Sequence, residues 1–158
     1  MDNAEQDILD KVEEYGWMVI AVSPRAGSDD PEEWFAYTVG LSITFGWPEL
    51  ICFGLEAPVV KTILNNAVEE CRGRSLQPHT GMVLHDVAEG WTVRLAETGD
   101  WHRNYTGWAQ WFALQAGALR EHIDCLRLIW PDKEGVFPDD PACNAVVRAL
   151  QTPMETSP

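Results

Sequence analysis

The segment Trp34-Phe-Ala-Tyr-Thr-Val-Gly-Leu41, followed by Gly46-Trp-Pro-Glu-Leu-Ile-Cys-Phe-Gly-Leu55, decides how the chain is read. In a strand, successive side chains alternate between two faces. Phe35, Tyr37, Val39 and Leu41 therefore share one face, and Ala36, Thr38 and Gly40 the other. One face is bulky and apolar, and the other is nearly bare. A bare strand face admits close approach of a second layer or of a ligand. Leu50–Leu55 is apolar on both faces, the pattern of a central strand covered on both sides. Pro58 then opens a helix in which Val59, Val60, Ile63, Leu64, Ala67, Val68 and Cys71 recur at helical spacing.

Working outward, residues 3–15 read as an amphipathic helix with Ile8, Leu9, Val12 and Tyr15 on its apolar stripe and Gly16 beyond its end. Trp17–Val22 reads as a strand, and Ser23–Glu33 as a polar loop. Met82–Val87 and Trp91–Ala96 form a hairpin around Glu89-Gly90. Asp100 opens a third helix whose stripe is Trp101, Tyr105, Trp108 and Phe112. A strand at Cys125–Trp130, a turn at Pro131–Gly135 and a helix from Asp140-Pro141 to Leu150 complete the domain. Residues 152–158 read as a disordered tail. The expected fold is one α+β domain over residues 1–150. It has a mainly antiparallel sheet of five to six strands, or a partly open barrel, with three to four flanking helices.

The chain has 158 residues, 25 Asp and Glu against 11 Lys and Arg, and a net charge of −14. Phosphate binding needs Lys and Arg to release counterions, so nucleic acid is excluded as a partner, and so is an anionic membrane surface. Residues 1–33 hold ten of the carboxylates against Lys11 and Arg25, which reads as a solvated acidic face or as a surface for a basic protein partner. Cys52, Cys71, Cys125 and Cys143 have no Cys-x-x-Cys spacing and sit in apolar patterns. Free buried thiols in a reducing, cytoplasmic setting are the plain reading. No run is long and apolar enough to span a membrane.

The blocks Phe35-Ala-Tyr-Thr-Val-Gly-Leu41, Pro48-Glu-Leu-Ile51 with Phe53-Gly-Leu55, and Leu128-Ile-Trp-Pro-Asp132 with Gly135, Phe137 and Pro138 resemble a bacterial family known as domain of unknown function four-two-six-two. The helix Tyr105-x-x-Trp-Ala-x-Trp-Phe112 is similar to the family's as well. The resemblance covers roughly residues 8 to 140 and implies a fold without an assigned activity. Trp47 stands where a His commonly precedes Pro-Glu in that family, and Asp139 where an aromatic is frequent.

No catalytic or cofactor motif is complete. His79, His85, His102 and His122 lack the spacing of a metal site. Ser42, Thr38 and the cysteines lack a nucleophile elbow, and no Gly-rich phosphate loop is present. No cofactor is assigned. Arg94 and Arg127 lie within apolar strands, where a charge needs a partner. For Arg127 that partner is an anionic ligand or one of Glu49, Asp86 and Asp132, internal pairing being the simpler explanation. The expected function is a binding module for a small, partly anionic ligand in a cleft beside the Tyr37-Thr38 strand. Its expected residues are Tyr37, Thr38, Glu49, Arg94, Arg127, Trp130 and Asp132. The alternatives are a protein-interaction module of inhibitor or immunity type, acting through the acidic N-terminal surface, and an enzyme resembling flavin-binding split barrels.

Overall fold

A computed structural model describes residues 3–22, 34–88, 90–117 and 123–151. Its elements are α1 (Asn3–Tyr15), β1 (Met18–Val22), β2 (Phe35–Val39), α2 (Leu41–Thr44), β3 (Glu49–Phe53), α3 (Ala57–Gly73), β4 (Val83–Ala88), β5 (Trp91–Glu97), a 3-10 helix (Asp100–Asn104), α4 (Gly107–Gln115), β6 (Cys125–Ile129) and α5 (Ala145–Leu150). The strands form one sheet in the order β1-β2-β3-β6-β5-β4. Every neighbouring pair is antiparallel except β3–β6, which is parallel. The sheet stays open, with β1 and β4 at its edges, so the split-barrel likeness does not extend to closure. β2 and β3 both lie inside it, as their apolarity requires.

Alternation along the strands sorts the core into two layers. Ala36, Leu50, Cys52 and Leu128 face α3, packing with Val60, Ile63, Leu64, Ala67 and Val68. Tyr37, Val39, Ile51 and Phe53 face the opposite way, against Ile8 and Val12 of α1 and Ala109, Phe112 and Ala113 of α4. The bare side of β2 is thus filled by α3, since a small residue at Ala36 lets the helix come close to the backbone. Leu64 is fully buried in that layer. Truncating Leu64 to Ala should cost about 2–5 kcal/mol, read from urea unfolding.

Three local readings need correction. The run after Gly40 forms the short helix α2 ahead of the turn at Gly46. The third helix is split: Asp100–Asn104 is 3-10, and the α-helix starts only at Gly107. A 3-10 turn advances three residues instead of 3.6, so the aromatic phase slips. Ala109, Phe112 and Ala113 are buried, while Trp101, Tyr105 and Trp108 pack half-exposed at the margin. The last helix starts later than Asp140. Asn144 caps it by accepting from the N–H groups of Val146 and Val147, at 2.9 and 3.3 Å. The tail from 152 and Glu89 of the hairpin turn lie outside the described residues.

The edge strand β4 carries a bulge between Leu84 and Ala88. There Glu70 of α3 accepts from the main-chain N–H groups of His85 and Asp86 at 2.9 and 2.8 Å. Arg74 ties Glu70 in place at 3.0 Å and also donates to the Val83 carbonyl. This end of the sheet is blunted against further pairing.

All four cysteines are free and buried. Burial pushes the Cys52 thiol up to about 12, where almost no thiolate exists at neutral pH. Ellman's reagent at pH 8 should therefore react negligibly with the native protein and find four thiols once it is unfolded. Rapid reaction of the native protein would contradict this burial.

Candidate functional site

Glu49, the first residue of β3, has 0% exposure. Its Oε1 accepts from Thr38 Oγ1 at 2.7 Å and from the Leu41 N–H at 3.2 Å. Its Oε2 accepts from the N–H groups of Gly40 at 3.2 Å and Ser42 at 3.1 Å. Thr38 Oγ1 in turn accepts from the Leu50 N–H at 2.8 Å. The carboxylate thus closes the start of α2 and joins it to β2 and β3. Burial lifts the carboxyl above its ordinary pKa, and the hydrogen bonds from Ser42, Thr38 and Leu41 offset part of the rise. Thr38→Val should cost about 1–2 kcal/mol, measurable by urea denaturation, because Leu50 loses an acceptor and Glu49 a donor.

The other expected site residues lie elsewhere. β3 runs from Glu49 to Phe53, four residues or about 13 Å at strand rise. Trp130 sits at the far end, its indole N–H donating to the Phe53 carbonyl at 2.9 Å. Its ring stacks on Trp91 at 5.6 Å. Asp132 holds a turn, accepting from Glu134, Val136 and Asn144 N–H groups, each at 2.9 Å. Those bonds hold its carboxyl below the usual range. Arg127 donates to the Gln151 carbonyl at 3.2 Å. Arg94 pairs with Asp139 and lies 4.8 Å over the Phe137 ring, so Asp139, where the family resemblance leads one to expect an aromatic, serves as a charge partner. On the other face, the Tyr37 hydroxyl accepts from the Trp108 N–H at 3.2 Å, and burial pushes it up to about 12. The seven residues therefore fall into separate groups: Thr38 with Glu49, Arg127 and Trp130 both on Gln151, Asp132 in its own turn, and Tyr37 and Arg94 each with other partners.

Gln151 went unrecognised in the sequence. Its side chain donates to the Trp130 carbonyl at 2.8 Å and accepts from the Trp130 N–H at 2.9 Å. It pairs with Trp130 as a neighbouring strand would. A lone Gln at a helix end carries no sequence signal of this.

Two clefts present usable chemistry. One, of about 420 Å³, lies at the sheet end near Pro48. Glu97, Asp100, Asp124, His79 and His102 line it, without Lys or Arg. Its carboxylates repel an anion, and no metal-binding cluster exists among the described residues.

The second, of about 610 Å³, is walled by Lys11, Glu14 and Tyr15 of α1 and by Asn65, Glu69 and Arg72 of α3. Trp17, Met18 and Val19 lie between them. Helices α1 and α3 cover opposite faces of the sheet, so a cleft touching both must open around the edge strand β1. β1 pairs directly with β2, Val19 opposite Thr38. The Arg72 guanidinium lies 5.6 Å over the Trp17 ring and 5.5 Å over Phe45, and pairs with Glu69 at 3.2 Å. Trp47 stacks on Phe45 at 4.5 Å, so the residue that replaces the commonly expected His extends this aromatic support. The Trp17 N–H donates to Asn65 at 2.9 Å. Lys11 sits 5.6 Å over the Tyr15 ring. None of Lys11, Trp17 or Arg72 stood out in the sequence, because Arg72 looks like an ordinary helix-end cation.

Residues 11–144 match the family described as Domain of unknown function (DUF4262). The chain belongs to that family. No curated protein and no solved structure matches it. Among the described residues, no helix of this DUF4262 chain is long and apolar enough to cross a membrane.

Proposed function

We propose that this DUF4262 chain is a binding domain for a small ligand that carries a carboxylate on an apolar body. The site is the cleft beside β1, one strand away from the Tyr37-Thr38 strand. The observation that carries the reading is Arg72, whose guanidinium is held by two aromatic rings at the wall of an open cleft of about 610 Å³. A guanidinium fixed in this way presents its donors to a carboxylate with little ordering cost. Lys11 supplies a second cation, so the two cations balance Glu14 and Glu69, and the ligand carboxylate takes the place of Glu69 on Arg72. Tyr15 and Trp17 offer ring surface for the apolar part. The cleft's size is ordinary for ligand sites. Buried free thiols fit a cytoplasmic setting.

The test is calorimetric titration with 3-phenylpropionate, an acid of this chemistry, and with 3-phenylpropanol. The acid should bind and the alcohol should not. Arg72→Ala should weaken the acid about tenfold, roughly 1.4 kcal/mol, with the melting temperature little changed. Equal binding of acid and alcohol, or an Arg72→Ala protein that binds like the parent, would rule this reading out.

A further inference from the structure

We infer that the natural ligand of this cleft is the carboxyl-terminal stretch of an extended peptide, which adds to β1 as an antiparallel strand. The inference rests on the reading just given. β1 is the last strand of the sheet, and among the described residues its one sheet neighbour is β2. In an antiparallel pair, every second residue turns its N–H and C=O away from the partner strand. The outer side of β1 is therefore a row of alternating donors and acceptors, and the covering that satisfies such a row is another extended backbone. The opposite edge strand, β4, is blunted by its Glu70-held bulge, whereas β1 pairs with β2 in unbroken register from Met18 to Val22.

Charge then fixes direction. Lys11, Trp17 and Arg72 gather at the start of β1 together with Glu14 and Glu69, where Met18 and Val19 line the cleft, and an incoming carboxylate takes the place of Glu69 on Arg72. A peptide whose terminal carboxylate reaches Arg72 and Lys11 has its preceding residues running toward Val22, opposite to β1. A second copy of this chain is a poor occupant. At net −14, two copies repel, and the β1 edges of two copies would bring the exposed carboxylates of both α1 helices together.

The test uses the full chain, amide hydrogen exchange by NMR, and three probes. These are a degenerate library of N-acetylated pentapeptides with free carboxylates, the same library as amides, and 3-phenylpropionate. The acid library should slow exchange of alternate N–H groups within Met18–Val22 at least tenfold. The amide library should bind at least tenfold more weakly. Phenylpropionate should bind without protecting β1. If phenylpropionate binds and the acid library leaves β1 exchange unchanged, the strand-addition inference fails while the carboxylate site stands. If neither acid binds, both fail. Protection of β1 that rises with protein concentration in the absence of peptide would assign the edge to a second copy and overturn the inference.

Discussion

Replacing Glu49 by Gln should destabilise the protein by about 3–5 kcal/mol, a large share of the 5–15 kcal/mol typical of a domain. The Thr38 hydroxyl and the N–H groups of Gly40, Leu41 and Ser42 all donate to the Glu49 carboxylate. A glutamine offers one acceptor oxygen in place of two. Its NH2 brings new donors against main-chain N–H groups that have nowhere else to bond in a site with 0% exposure. The two bonds lost leave two buried donors stranded against the new NH2, and a near-isosteric change becomes a severe one. Urea unfolding of the variant measures it. A loss under about 1 kcal/mol would mean that α2 and its N–H groups find other acceptors.

The second large effect is expected at Gly40. Its φ is 105°, and a Cβ built there would lie 2.9 Å from Val12 Cγ1 and 3.2 Å from the Gly16 carbonyl oxygen. Gly40→Ala meets both a backbone conformation that L residues avoid, at about 1–2 kcal/mol, and overpacking against α1, at about 1–3 kcal/mol. The sum is about 2–5 kcal/mol. The two parts separate in a double variant. Val12→Ala removes the methyl groups in the way, so Gly40→Ala should cost less in that background than in the parent. Strictly additive losses would show that strain at Gly40 alone sets the cost.

The sheet was legible in the sequence wherever apolar alternation was strong. Tyr37–Leu41 and Leu50–Leu55 read as central strands, the second because it is apolar on both faces, and β2 (Phe35–Val39) and β3 (Glu49–Phe53) lie inside the sheet. The α3 stripe was equally plain from Val60 to Cys71, whereas Val59, read as part of it, is exposed. The aromatic helix was misphased because a 3-10 turn and an α-helix share residue preferences and differ only in period. The site was less legible. Glu49, Thr38 and Asp132 stood out as polar groups in apolar blocks, and each of them answers a local main-chain need. Such residues look alike in sequence whether they serve a turn or a ligand. Arg72 and Lys11 are common helix residues; the meaning of Arg72 arises only when Trp17 and Phe45 of other segments fold against it, and that of Lys11 when α1 docks beside the same cleft.

Intermolecular NOEs from 3-phenylpropionate test the cleft beside β1 most directly. Ring protons of the bound acid should give NOEs to the Trp17 indole and the Val19 methyl groups, and at a ligand concentration near the parent's Kd these should be much weaker in Arg72→Ala. NOEs instead to Ile123 and Leu126 of the acidic cleft, or none to either place under saturating ligand, would contradict the assignment.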